Sequence, residues 1–362
     1  RGYYTRQRWR HRCCSNSALA ARSHLRTNMK PNIETKLTYD AGISVPLICG
    51  PMYPCSNVEL VAAASNAGGL GVVQPVTLTY VFKMEFREGL KAIRRITDRP
   101  IGMNVLIEGS SNAYRKRMET WIEIALEEGV RFFITSLGKP QWVVDRVSKV
   151  GGVVYHDVTE RKWAEKAVDS GVHGLIAVNR RAGGHAGGRS AYQLLEEVGD
   201  FGLPVTCAGG IGRPEEFADA LSMGYEGVQM GTRFIATEEC RASLAYKRAI
   251  VGAQEGDIVL TERLTGVPVA VINTPYVQRL GLKAGPLARR MLKGHKTKHW
   301  MRNIYSMKSA WTLKRTAYDE DGTTEYWQAG RSVSGIEEIL PVSTVIETCV
   351  KAVQNRLNST DQ

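Results

Sequence analysis

Positions 181–188 read RAGGHAGG, one imidazole, His185, between two glycine pairs. The preceding run, GLIAVNR (174–180), has the composition of a buried strand. Histidine exchanges its proton near neutral pH, so an imidazole delivered by a strand end is a candidate acid or base. A hydrogen-bonded structural histidine is the alternative for a lone residue of this type. Here Gly183 and Gly184 would let a flat ligand lie against the main chain, and Gly187 and Gly188 would permit a sharp turn after it. Two further loops are rich in glycine: Ala208, Gly209, Gly210, Ile211, Gly212, and Met230, Gly231, Thr232, Arg233, Phe234. Backbone amides without neighbouring side chains can approach an anion closely, a helix N-terminus adds a favourable dipole, and Thr232 adds a hydroxyl. The pattern is a phosphate site beside an imidazole.

Other polar residues end apolar runs: Gln74, Asn104, Ser136, and the pair His156 and Asp157. Pro51 and Met52 follow the first run. A planar, polar heterocycle with a phosphate tail would use this inventory well. Flavin mononucleotide (FMN) fits that description, and a sugar phosphate or nucleotide substrate fits it less fully.

The elements that would position these residues are legible. Eight short apolar runs recur: PLICGP (46–51), LGVVQP (70–75), IGMNVLI (101–107), RFFITS (131–136), GVVYHDV (152–158), HGLIAVN (173–179), PVTCAGG (204–210) and EGVQMGT (226–232). Between them lie segments of helical periodicity, such as AYRKRMETWIEIALEEGV and PEEFADALSMGY. The second of these opens with Pro and two acids, a good first helical turn. Strands alternating with helices imply parallel strands joined by crossovers, and eight such units predict an α/β fold of the (β/α)₈ barrel type. A doubly wound sheet would place a glycine fingerprint after the first strand, and PLICGPMYPC is not one. The spacing predicts a barrel over 29–235. It predicts a smaller, mostly helical capping region over 236–362, with a strand-like stretch VPVAVINTPYV at 267–277. In such a barrel the ligand sits at the C-terminal strand ends, where every residue named above falls.

Composition sets limits. The 362 residues are 43% apolar and 23% charged, an ordinary globular balance. The net charge of +12 is concentrated in two places. Residues 1–28 hold seven arginines and no acid, and residues 289–315 hold nine cations and no acid. The remainder is slightly acidic. The second stretch reads as a solvated helical face, and no nucleic-acid-binding motif accompanies it. Residues 1–28 resemble a transit segment, although Met29 also reads as a natural start. The expected location is therefore cytoplasmic, or organellar if that segment is genuine. Seven scattered cysteines argue against a disulfide framework or a metal site and suit a reducing compartment. No run is long enough to span a bilayer.

RAGGHAGG, VTCAGGIG and GVQMGTRFIATEEC, with the opening ICGPMYPCSNVELVAAASNAGGLGVV, together resemble the nitronate monooxygenase family. The resemblance covers about residues 40–240. It implies an FMN-containing (β/α)₈ barrel with a helical second domain and His185 as the catalytic residue beside the flavin. Gly209, Gly210, Gly231 and Thr232 would hold the phosphate. Pro51, Met52, Gln74, Asn104, Asp157, Gly183, Gly184, Ala208 and Met230 complete the expected cofactor contacts. Many relatives carry a lysine at the end of strand five, where this chain has His156 and Asp157. The implied reaction is oxidation of an alkyl nitronate or nitroalkane by O2 to a carbonyl compound and nitrite. The alternative is an NAD(P)H-dependent FMN reductase of an enoyl thioester or quinone. An RNA-modifying flavoprotein is a third reading, disfavoured because Cys55 and Cys207 do not sit in a suitable loop. No metal, nucleic acid or membrane partner is expected, and a homodimer is left open.

Overall fold

The computed structural model describes residues 33–107, 112–263, 266–283, 285, 311–318 and 326–360. The N-terminal extension and most of the second basic stretch lie outside the described residues. Ile33–Gln362 forms one compact unit.

Eight parallel strands close into a barrel in chain order: β1 (Leu47–Cys49), β2 (Leu70–Val73), β3 (Ile101–Leu106), β4 (Phe132–Ser136), β5 (Val153–Val158), β6 (Gly174–Val178), β7 (Val205–Ala208) and β8 (Gly227–Met230). Each falls within one of the eight apolar runs. β8 closes on β1 with Ile48 opposite Gln229.

Helix α1 (Lys36–Ala41) precedes β1, and α2 (Val58–Asn66), α3 (Phe86–Arg94), α4 (Asn112–Glu127), α5 (Gln141–Val147), α6 (Arg161–Val168), α7 (Ala191–Val198) and α8 (Pro214–Ser222) follow β1 to β7 in turn. Local chemistry sets their starts. Pro214 opens α8, and Glu216 turns back to accept from the amides of Gly212 and Arg213. Ser190 and Gln193 cap α7 reciprocally. In α3 the buried Phe86, Leu90 and Ile93 recur at helical spacing.

The barrel interior is filled by Ile48, Leu70, Val72, Phe132, Ile134 and Tyr155, joined by Ile176 and Ala208. Its lower end is closed by α1, whose Leu37 is fully buried in the same cluster. The Tyr155 hydroxyl donates to Asp40 of α1 at 2.9 Å. Gly227 leaves the room, since a Cβ there would sit 2.2 Å from a Leu37 methyl.

After β8 come α9 (Thr232–Ile235), α10 (Leu244–Gly252) and an antiparallel hairpin, β9 (Ile258–Thr261) and β10 (Val269–Ile272). Then follow α11 (Pro275–Leu280), α12 (311–318), a 3₁₀ turn Arg331–Gly335 and α13 (Val342–Thr360). The strand-like stretch at 267–277 is β10 running into α11. Helix α13 packs on the outside of the barrel against α8 and α2, with Val342, Val345, Ile346 and Cys349 in the core shared with the ring helices. It takes the eighth helical place, and residues 236–341 form an insert ahead of it. No described helix is long and apolar enough to cross a membrane.

The plug implies that Leu37→Ala, which empties the barrel floor, lowers stability by about 2–5 kcal/mol. Urea unfolding should show a reduced midpoint at unchanged slope.

Candidate functional site

Side chains alternate across each strand, so extending the interior positions toward the C-terminal ends identifies what lines the mouth. Beyond Val72 comes Gln74, beyond Gly102 comes Asn104, beyond Ile134 comes Ser136, and beyond Tyr155 comes Asp157. Gly50 and Gln229 face the same interior, because a Cβ on Gly50 would lie 2.9 Å from the Gln229 side chain. Gln74 and Asn104 are buried, as a packed barrel requires.

Three of these residues form a chain across adjacent strands. The Asn104 amide donates to the Ile134 carbonyl at 3.2 Å and to Ser136 Oγ at 3.4 Å. Ser136 Oγ donates to Asp157 Oδ2 at 2.6 Å. Asp157 Oδ1 is buried with no hydrogen-bond partner among the described residues. Burial pushes the Asp157 carboxyl up to about 6, and the Ser136 hydrogen bond opposes that rise. Gln74 is anchored differently: its Oε1 accepts from the Thr77 amide at 2.7 Å and the Thr77 hydroxyl at 2.9 Å.

Neighbouring His156 points the other way, into the layer between barrel and helices. Its Nδ1 meets Thr135 Oγ1 at 2.7 Å, and burial drives its pKa down to about 4. It is a neutral structural histidine. Met230 is likewise directed outward, into the core shared with the helices. Its expected contact with a cofactor is therefore restricted to its backbone, and the adjacent Gln229 is the side chain that reaches the interior. Its Oε1 is also buried without a partner among the described residues.

The loop after β6 is held on both sides. Arg180 N donates to Arg189 O at 2.8 Å, closing the loop at its base. Asn179 ties it to the β7 loop: its amide donates to Gly209 O at 2.8 Å, and its Oδ1 accepts from Arg181 N at 2.8 Å. Gly184, at φ +67°, accepts at its carbonyl from Ala270 N of β10 at 3.0 Å. His185 is open to solvent by surface area, yet protein crowds its recess, and this desolvation lowers its pKa. The imidazole is thus mainly neutral at pH 7.

The two glycine loops converge with a third segment that the sequence reading did not single out. Gly330 N donates to Thr232 Oγ1 at 2.9 Å, and Arg331 N donates to Arg181 O at 2.9 Å. A Cβ on Gly330 would lie 2.6 Å from Gly183 N, one on Gly209 2.6 Å from Ala182 N, and one on Gly212 2.2 Å from Ser332 O. Met52 closes the far side, 3.5 Å from where a Gly231 Cβ would stand. Pro51 is half-buried in the same β1 loop, and Ala208 is buried at the end of β7. Asn179 carried a faint signal, as the polar residue ending an apolar run. The 328–335 stretch, QAGRSVSG, carried only its glycines, about 100 residues from the loop it completes.

Two expectations follow. The Asp157 carboxyl has a folded pKa above its unfolded value, so its ionisation costs stability above pH 6 and the cost vanishes below pH 4. Asp157→Asn should therefore stabilise the protein by about 1–3 kcal/mol at about pH 8, and the gain should fade to nothing by about pH 4 in urea denaturation. Gly330→Ala should push apart the 183 and 330 backbones, and the purified variant should retain less flavin than the wild type.

The sequence comparisons agree with this geometry. The family model described as Nitronate monooxygenase matches residues 34–352. The (3aS,4S,5R,7aS)-5-hydroxy-7a-methyl-1-oxo-octahydro-1H-indene-4-carboxyl-CoA dehydrogenase of Mycobacterium tuberculosis is 32% identical over 261 residues, covering 71% of this chain and 70% of that protein. A probable nitronate monooxygenase of Staphylococcus saprophyticus is 27% identical, covering 68% of this chain and 81% of that protein. Among solved structures, FabK from Thermotoga maritima superposes with a TM-score of 0.75 at 26% identity, covering 91% of this chain and 99% of that one. The chain is an oxidoreductase with an eight-stranded α/β barrel, and it belongs to the nitronate monooxygenase family.

Proposed function

We propose that the protein is an FMN-dependent oxidoreductase whose His185 moves the substrate proton, and that its substrate is a neutral carbon acid carried as a coenzyme A thioester. The observation that carries this reading is one mouth holding both a neutral imidazole and a glycine loop, Gly209, Gly210 and Gly212, packed too closely for side chains. The residues fit FMN: the cradle of Gly209, Gly210, Gly231 and Thr232 suits a phosphate, and two buried oxygens, on Asp157 and Gln229, await a donor. Pro51, Met52, Gln74, Asn104, Gly183, Gly184 and Ala208 would face the ring system or ribityl chain. Bound there, FMN supplies the two-electron chemistry, and the protein supplies position and charge. The neutral imidazole of His185 takes a proton from the carbon beside the thioester carbonyl through a ring nitrogen, or returns one in the reverse direction.

Charge separates this from the second reading, oxidation of alkyl nitronates by O2. A nitronate is an anion, and among the described residues no cation pairs with Asp157, which burial raises to about 6 and which is therefore mainly ionised near pH 7. Arg181, on the β6 loop, is engaged by Glu216 and Glu255 at 3.5 and 3.3 Å. A neutral thioester meets no such repulsion. Two relatives at 32% and 30% identity are named for a carboxyl-CoA dehydrogenase, which supports the same choice. Reduction of an enoyl thioester at the expense of NAD(P)H is the same chemistry run the other way.

Anaerobic titration of the purified flavoprotein tests the choice. Bleaching of the flavin by a saturated acyl-CoA, or reoxidation of the reduced flavin by an enoyl-CoA, is the expected result. Bleaching by an alkyl nitronate alone would return the reading to nitronate oxidation. His185→Asn should keep its flavin and lose about 10²–10⁴-fold in kcat.

A further inference from the structure

A second recess lies on the rim of the mouth. It is a cavity of about 520 Å³ between the β2–α3 connection and α12, lined by Val81, Phe82, Trp311, Lys314, Arg315 and Tyr318. Among the described residues its lining has two cations, three aromatic rings and no acid. Lys314 Nζ donates to the backbone carbonyl of Tyr80 at 3.1 Å rather than to a carboxylate. The Arg315 guanidinium stands 5.7 Å from the Trp311 ring centre, and Arg117 stands 5.6 Å from that of Tyr80 at the edge. Trp311 is 65% exposed, a large apolar surface left in water.

The cavity is tied to the site already described. One wall starts at Gln74 of the mouth and runs to Phe82. The other, α12, is anchored where the Tyr318 hydroxyl donates to Pro54 O at 2.8 Å, in the loop that carries Met52. A comparable cavity between α4 and α5 has Arg115 and Lys139, but also Asp145, and Arg115 is already paired with Glu119 at 3.1 Å. An exposed indole with cations beside it suits a purine and its phosphates, through stacking and charge-assisted hydrogen bonds. The volume falls in the range of small-ligand sites.

We propose that the recess formed by Trp311, Lys314, Arg315 and Tyr318 holds the adenine-nucleotide end of a coenzyme whose reactive end reaches the barrel mouth. This rests on the thioester reading above, with coenzyme A as the first source of the nucleotide and NADPH as the second. The basic residues at 314 and 315, read in sequence as part of a solvated face, would then be phosphate ligands.

The test uses the full-length flavoprotein and isothermal titration with free coenzyme A, pantetheine and NADPH, on the wild type, on Lys314→Glu/Arg315→Glu and on Trp311→Ala. Expected is tighter binding of coenzyme A than of pantetheine, weakened at least tenfold by either variant. Turnover of an N-acetylcysteamine thioester, which has no nucleotide, should be unchanged in both. The same weakening for NADPH with no coenzyme A binding would support the recess and assign it to the dinucleotide. Equal affinities of wild type and variants for both coenzymes would overturn the proposal, as would binding only of an acidic acyl carrier protein. Loss of thioester turnover in the wild type with nucleotide binding intact would instead defeat the reaction assigned above and leave the recess standing.

Discussion

The site depends on main chains approaching where no Cβ can fit. The β6 loop is pressed between the β7 loop and the 330–335 turn, and the clearances at Gly209, Gly212 and Gly330 are all under 3 Å for an added carbon. This packing fixes the strand end that carries His185. It also brings Thr232 against Gly330, so that the β8 loop, the β7 loop and the insert share one wall. An imidazole on an unrestrained glycine loop would spend its orientation entropy at each encounter with substrate. Here Asn179 on one side and β10 on the other hold the loop in advance.

Around that wall Arg181 is paired with Glu216 and Glu255. Two further ionisable groups at the mouth are a histidine pushed toward neutrality and a carboxyl pushed upward, both by desolvation. The shift of His185 keeps its imidazole mainly neutral at pH 7, the form that accepts a proton. Among the described residues, cations occur around Trp311 and Tyr80, and none pairs with Asp157. A substrate drawn by its phosphates to the rim and neutral at its reacting carbon matches that division.

Much of the barrel was legible because buried parallel strands are continuous apolar runs, set apart here by segments of helical periodicity. The loops after β6, β7 and β8 were legible from their glycines. Facing was not. In EGVQMGT, Val228 and Met230 share one face and Gln229 stands on the other, but nothing local says which face looks into the barrel. The same ambiguity hid the difference between His156, locked against Thr135, and Asp157, bare at one oxygen. Only the register with neighbouring strands resolves it. The 330–335 turn was hidden by distance: its partners are Arg181, Gly183 and Thr232, and no periodicity links segments so far apart.

The late position of α13 explains why the insert can serve the site at all. A barrel needs an apolar face over each strand pair, and α9, four residues long, cannot supply one after β8. Helix α13 does so, using Val345 and Ile346 against the shared core and Arg356 paired with Asp219 of α8. The chain must therefore leave at β8 and return, and everything between is held at both ends to the barrel. That tether brings β10 against Gly184 and α12 against Pro54, and a small core of the insert's own, Val269, Val271, Val277, Leu313 and Tyr326, fixes them to each other. A cap attached at one end would have to supply that order from its own contacts. This one combines its own small core with the closure of the ring, and Trp311, outside that core, keeps 65% of its surface exposed.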